Sequence, residues 1–310
     1  MPVTTALRRS RRHVPDPAAT PGLGDARPLP DSEFAAYWDT LVLPDDVKGR
    51  VLRSAAAGLQ LRSEIAFHDL PLHGTFLFTG EPGTGKTTFA RGLADELARA
   101  VPAAGDWLFL EIDPHGLTSS SLGRSQKAVE ELFGSLLDGQ SAAGPTVVLI
   151  DEVETLLTDR AALSMDANPV DVHRAVDAAL TGLDRLARSH PRTVVLATSN
   201  FPLALDGALT SRADLSVHFP LPDLAARRAI LANTCGALGA AFPGAKSLST
   251  AASLDAAAAG GDGLDGRQLK KAVAAACAVD PGAAGDPDRV TPADLLAAVK
   301  YAVAARRAGA

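Results

Sequence analysis

The segment Gly80-Glu81-Pro82-Gly83-Thr84-Gly85-Lys86-Thr87, with Thr88 directly after it, brings together the residue types that hold a triphosphate. Glycines let successive backbone N–H groups turn toward phosphate oxygens. The Lys86 ammonium supplies a point charge for the terminal phosphates, and the Thr87 hydroxyl is a hard oxygen ligand for Mg²⁺. Further on, the apolar run Thr146-Val147-Val148-Leu149-Ile150 ends abruptly in Asp151-Glu152. Beside such a loop Asp151 would hold Mg²⁺ through its water shell, and Glu152 would polarise the water that attacks the γ-phosphate of ATP. The plainer alternatives are a Gly-rich turn that contains a lysine and an acidic pair that favours the start of the next helix.

Such a loop works only between a strand and a helix, and the flanking residues supply both. Thr75 to Phe78 is an apolar run of strand length, and Thr87 to Val101 carries apolar residues at helical spacing. Four further strands are expected at 107–112, 146–150, 193–200 and 215–219, with helices over 125–137 and 172–186. Phe34, Trp38, Leu41, Val42, Leu43, Val47 and Val51 mark a short helix and a second one that runs to about residue 62. Alternating strands and helices predict an α/β fold, a P-loop NTPase whose parallel five-stranded sheet is flanked by helices on both faces. From Pro220 onward only helices are expected, over 223–238, 266–278 and 291–305. Asp223 and Thr291 are placed as N-caps and Pro292 at a first helical position. The expected organisation is a disordered basic tail over 1–30, a large α/β ATPase domain over 31–222 and a small all-α domain over 223–310.

Composition narrows the classes. The chain has 310 residues, 46% of them apolar, enough for a sizeable core, and no run approaches the length of a membrane span. Cys235 and Cys277 lack ligand spacing and are expected as buried thiols in a reducing, cytoplasmic setting. Residues 1–30 hold five arginines against two aspartates, a balance of +3, which leaves −9 on the remainder. That acidic body argues against a surface built for nucleic acid. The tail has no apolar h-region and is not a secretory signal.

The order of these elements resembles the AAA+ ATPases over residues 31 to 306. The resemblance implies that Asn200, at the end of a strand, is the sensor 1 amide that orients the attacking water, and that Arg212 is an arginine finger reaching a neighbouring subunit's nucleotide. A surface salt bridge to Asp214 is the plain alternative for Arg212. Arg267 in Gly263-Leu264-Asp265-Gly266-Arg267 falls where these enzymes carry sensor 2, and Arg174 is a further residue near a subunit boundary or simply on a helix surface.

Within that superfamily the chain resembles the pachytene-checkpoint and thyroid-receptor-interacting ATPases. The wording shared with them is Phe34 through Lys48, Asp151 to Leu156, Thr198-Ser199-Asn200, Asp214 after Arg212, and Gly263 to Arg267. The short bacterial form is implied, because only about thirty residues precede the ATPase here. The resemblance implies a homo-hexamer that uses ATP and Mg²⁺ to remodel or disassemble complexes of a HORMA-domain protein by pulling a flexible segment through its pore. Such complexes include a cyclic-oligonucleotide synthase in anti-phage signalling, which the ATPase would switch off. The pore loop, aromatic in relatives, reads Ser119-Ser120-Ser121-Leu122-Gly123, so Ser121 and Leu122 would provide the grip. A remodeller of a non-HORMA protein and a nucleic-acid-dependent switch remain open alternatives.

Overall fold

Side chains alternate sides along a strand, and here both sides are apolar, so the sheet must be covered twice. The computed structural model describes residues 12–117, 124–157 and 169–308. Its strands are β1 (Leu23–Leu29), β2 (Thr75–Gly80), β3 (Trp107–Ile112), β4 (Thr146–Ile150), β5 (Thr193–Ser199) and β6 (Ala213–Phe219). They form one sheet in the order β1-β3-β4-β5-β2-β6.

On one face Phe76, Phe78, Phe109, Val147, Leu149 and Leu196 meet Phe34, Val51, Phe89 and Leu93. Those partners come from α1 (Ser32–Thr40), α2 (Asp45–Glu64) and α3 (Lys86–Ala100). After β3 the chain makes a single turn, α4 (Pro114–Leu117). Beyond it α5 (Arg124–Glu131) runs through a π-helical segment, Leu132–Leu137, into α6 (Asp138–Ala143). The helix expected to stop at Leu137 therefore continues six residues further, to Ala143. Leu132, Phe133 and Leu137 cover the second face together with Val176, Ala179 and Leu183 of α7 (Pro169–Ser189), against Leu108, Leu110, Val148 and Ile150. A short helix, α8 (Gly207–Thr210), precedes β6.

Past β6 the chain is helical, with α9 (Leu224–Ala241), α10 (Ala251–Gly260), α11 (Gly266–Ala276), α12 (Pro281–Gly285) and α13 (Pro292–Ala308). These helices bury a core of their own around Leu231, Leu254, Leu269, Val273, Leu295 and Val299. Alanines 257, 258, 272 and 276 are buried in it, since small side chains let helix axes approach closely. Asp223 caps α9 by accepting from Ala226 N–H, and Asp265 forms a capping box with Gln268 at the start of α11. Both cysteines are free; Cys235 is buried, which pushes its thiol up to about 11, and Cys277 is half-buried.

One expectation is corrected. The sheet has six strands, because β1 lies antiparallel on β3 with Leu29 opposite Trp107 and Ala26 opposite Leu110. It falls within the segment expected to be disordered. Leu23-Gly24-Asp25-Ala26-Arg27-Pro28-Leu29 has weak strand propensity, and its place comes from pairing with an exposed edge, a contact between distant parts of the chain. Two arginines of the basic segment are engaged in the fold. Arg12 donates to Pro145 O and Thr146 Oγ1, both at 2.7 Å, and Arg27 pairs with Asp25 at 2.6 Å and Glu33 at 2.9 Å.

Candidate nucleotide-binding and hydrolysis site

The phosphate loop leaves the C-terminal end of β2 and enters α3, so the first free N–H groups of that helix point where a phosphate would sit. Gly83 and Gly85 turn the loop with φ of 79° and 100°. At Gly83 a Cβ would come within 2.3 Å of Asp265 Oδ1, so only glycine permits both the left-handed turn and the close approach to α11. The Lys86 ammonium donates to Gly80 O at 2.8 Å and Glu81 O at 2.9 Å, and Thr84 Oγ1 donates to Glu81 O at 2.9 Å. Burial pulls Lys86 below its ordinary range, and the nearby Asp151, Glu154 and Glu152 oppose that pull.

Strand β4 runs beside β5, so the residues after their C-terminal ends meet next to this loop. Thr87 Oγ1 donates to Asp151 Oδ1 at 2.8 Å. A hydroxyl and a carboxylate in contact are the hard oxygen donors that suit Mg²⁺ shared with phosphates. Thr198, buried at the end of β5, also donates to Asp151 and accepts the Glu152 N–H at 3.1 Å. Glu152 adopts φ 51°, the one positive φ outside glycine among the described residues. A left-handed residue of this kind costs on the order of 1–3 kcal/mol and is kept where the surroundings force it. Its carboxylate accepts from Asn200 Nδ2 at 3.1 Å through Oε1, and His115 Nε2 lies 3.6 Å from Oε2. Asn200 is itself fixed, because its N–H donates to Glu154 Oε1 at 2.9 Å.

Lys86, Thr87, Asp151, Glu152 and Asn200 line a cleft of about 1080 Å³. Every expected loop residue from Pro82 to Thr88 lines it, as do Asp151, Glu152, Asn200 and Arg267. Gly80 and Glu81 act on its rim, the first through its carbonyl to Lys86 and the second through an ion pair with Arg306 of α13. Leu41, Val42, Leu221 and Ile230 form an apolar wall fit for a flat ring, and Lys270 and Lys271 add charge from the same helix as Arg267. Helical spacing after Arg267 is the signal that would have found Lys270, whereas Leu41 and Val42 read in the sequence as core positions.

The ATPase family associated with various cellular activities (AAA) matches residues 76–221, the stretch from β2 to the end of β6. CD-NTase-associated protein 6 of Pseudomonas aeruginosa is 45% identical over 281 residues, which span 91% of this chain and 92% of that protein. The chain belongs to the AAA ATPases, in the family of that protein. A pachytene checkpoint protein 2 homolog of Arabidopsis thaliana is 35% identical over 206 residues, 66% of this chain and 44% of that protein, so the chain spans less than half of this longer relative. Among solved structures, C. elegans PCH-2 superposes with a TM-score of 0.74 at 27% identity, covering 91% of this chain and 75% of that one. A chain of the E. coli MS115-1 HORMA:CdnC:Trip13 complex gives the same TM-score at 18% identity, covering 90% and 95%, a likeness of fold. The parallel strands β2 to β6 and the following helical region expected of this superfamily are present, within a sheet that β1 makes mixed.

Two expected residues of this AAA ATPase lie outside the cleft. Arg212 precedes β6 and donates to Asp184 Oδ1 at 2.7 Å, to Asp184 Oδ2 at 2.8 Å and to Ala208 O at 2.8 Å. Its carboxylate partner is therefore on α7. Asp214 instead accepts the N–H groups of His73 at 2.9 Å and Gly74 at 2.6 Å, fastening the chain that leads into β2. Arg174 is exposed on α7. Ser121 and Leu122 lie outside the described residues. Among the described residues no helix is long and apolar enough to cross a membrane.

Proposed function

We propose that the protein is a homo-hexameric ATPase that couples ATP hydrolysis to remodelling of a HORMA-domain protein. The observation that carries the ATPase chemistry is the convergence of Lys86, Thr87 with Asp151, and Glu152 with Asn200 in one cleft. Lys86 and the loop N–H groups bind the β- and γ-phosphates. Thr87 and Asp151, in contact at 2.8 Å, are the residues that would hold Mg²⁺, whose charge would offset what develops on the phosphoryl oxygens. Glu152 takes the proton of the attacking water, and Asn200 fixes the carboxylate in line with the γ-phosphate.

Sheet geometry supports a site shared between subunits. Arg212 stands at the start of β6, where Ala213 is in register with Thr75, while the phosphate loop begins after Gly80 at the other end of β2. Six strand residues separate those ends by roughly 17 Å, more than an arginine side chain spans. That separation supports the reading in which Arg212 serves the γ-phosphate of a neighbouring copy, and a closed ring would give every site such a neighbour. Arg267, whose N–H donates to Gly83 O at 3.3 Å, links the phosphate loop to the helical lid. Closure and opening of that lid would couple hydrolysis to pulling on a flexible end of the substrate, with Leu122 as the residue assigned to grip it.

The HORMA partner is supported by the likeness to CD-NTase-associated protein 6 along nearly the whole chain and by the fold shared with a chain of the HORMA:CdnC:Trip13 complex. We infer release of a cyclic-oligonucleotide synthase from its HORMA activator, which ends an anti-phage signal. The test mixes purified protein, ATP and a candidate HORMA-domain protein, with HORMA conformation followed by size exclusion. Stimulated turnover with conversion of the partner supports this reading. Turnover indifferent to any HORMA protein removes that substrate and leaves the ATPase.

A further inference from the structure

Arg212 does not hang free at the edge of the sheet. Its guanidinium is gripped in a fork by both oxygens of Asp184, at 2.7 and 2.8 Å, and a third N–H is taken by Ala208 O at 2.8 Å. Of five guanidinium donors, three are committed within the described residues and two are left, enough for a phosphate oxygen. Asp184 is also approached by His73, whose Nε2 lies 3.3 Å from Oδ1, the oxygen that accepts from Arg212 Nε. His73 is steadied by a ring-edge contact to Phe67 with centroids 5.1 Å apart, and by its own N–H bond to Asp214. The carboxylate is carried on a helix whose Leu180, Leu183 and Leu186 are buried in the core, so it cannot swing with the loop that bears Arg212. Arg212 holds Asp184 below the ordinary carboxylate range, as a paired carboxylate requires.

We propose that Asp184 is a positioning residue for hydrolysis: it holds the Arg212 fork in the orientation in which it meets the neighbouring subunit's γ-phosphate. A bidentate carboxylate fixes the guanidinium plane, which a single acceptor does not. This inference rests on the reading of Arg212 as acting across a subunit boundary. Asp184 and Arg212 would then belong to one functional unit whose effect is felt in a different chain from the one that carries them.

Subunit mixing separates that role from a structural one. Asp184→Asn is expected to lower kcat about tenfold with KM for ATP within about twofold, a smaller loss than removing an arginine finger outright. Mixed with Glu152→Gln subunits, which keep Asp184 and Arg212 but cannot activate water, Asp184→Asn subunits are expected to regain turnover above the sum of the two preparations alone. Mixed with Arg212→Ala subunits they are expected to regain none, since neither chain then offers a positioned arginine. Wild-type turnover in Asp184→Asn overturns the proposal. So does an Asp184→Asn preparation that Glu152→Gln subunits fail to restore while they restore Arg212→Ala. If Glu152→Gln restores neither variant, it is the shared-site reading of Arg212 that fails. Where Asp184→Asn does not assemble, Asp184→Glu is measured in its place. It keeps the charge and shifts the fork by one methylene, so kcat should fall and be restored by mixing; unchanged turnover overturns the proposal.

Discussion

Arg306, on the last helix, forms an ion pair with Glu81 inside the phosphate loop, across 225 residues of sequence. The same guanidinium donates to Gln268 Oε1 at 3.1 Å, the side chain that completes the capping box of α11. The loop that grips phosphates is thereby tied to the helix that carries Arg267, and α13 is the strap.

Loss of the strap should loosen nucleotide binding more than it loosens the fold. Arg306→Ala is expected to raise KM for ATP several-fold while melting within about 1 kcal/mol of wild type, because partly exposed ion pairs contribute little to stability. Steady-state kinetics with a parallel thermal melt checks both halves.

Thr198 ties the Asp151 carboxylate to the backbone of Glu152, donating to the first and accepting the N–H of the second. Thr198→Val keeps the shape and removes the hydroxyl, leaving the part-buried Glu152 N–H and the Asp151 carboxylate without this partner. A kcat about tenfold lower at nearly constant KM is expected, since the substitution disturbs the carboxylates while the phosphate loop stays intact. A change confined to KM would mean that Thr198 acts on binding.

Phe89, fully buried on α3, lies against Trp38, Phe78 and Phe219, with ring centroids 5.6, 5.1 and 5.4 Å away. Phe89→Ala is expected to cost about 3–5 kcal/mol, a large share of the stability of a domain. Denaturant titration at constant m-value measures it, and a cost below about 1 kcal/mol would show that the cluster repacks.

Acid titration should report the Asp184 pair. Arg212 lowers the carboxyl from its ordinary 3.8, with His73 adding to the effect. A depressed carboxylate contributes stability that is complete above its unfolded value and is lost as pH falls through the lower folded one. The stability gap between wild type and Asp184→Asn is therefore expected to be constant near neutrality and to narrow below about pH 4. Equilibrium unfolding at stepped pH checks the narrowing.

The phosphate loop and Asp151-Glu152 were legible because each is a contiguous run whose chemistry depends on spacing along the chain. Asn200 was legible as the end of an apolar strand. Asp184 was not, because its meaning depends on α7 crossing near the start of β6, 28 residues away in sequence. Arg306 escaped for the same reason, and Thr198 was quoted only as part of a shared phrase. Strand β1 escaped because Asp25, Arg27 and Pro28 break any alternating pattern, while an edge partner on β3 supplies what propensity lacks. Motif chemistry is local and readable; placement by distant partners is not.

The most direct test of the site is Mg²⁺-dependent turnover of ATP by the purified protein against Glu152→Gln, with nucleotide affinity measured on both. Wild type is expected to hydrolyse ATP, and Glu152→Gln to bind it with affinity within a few-fold while turning over at least about a hundredfold more slowly. Equal turnover in the two proteins would contradict the assignment of Glu152 and, with it, the hydrolytic site built around the Asp151, Thr198 and Asn200 network.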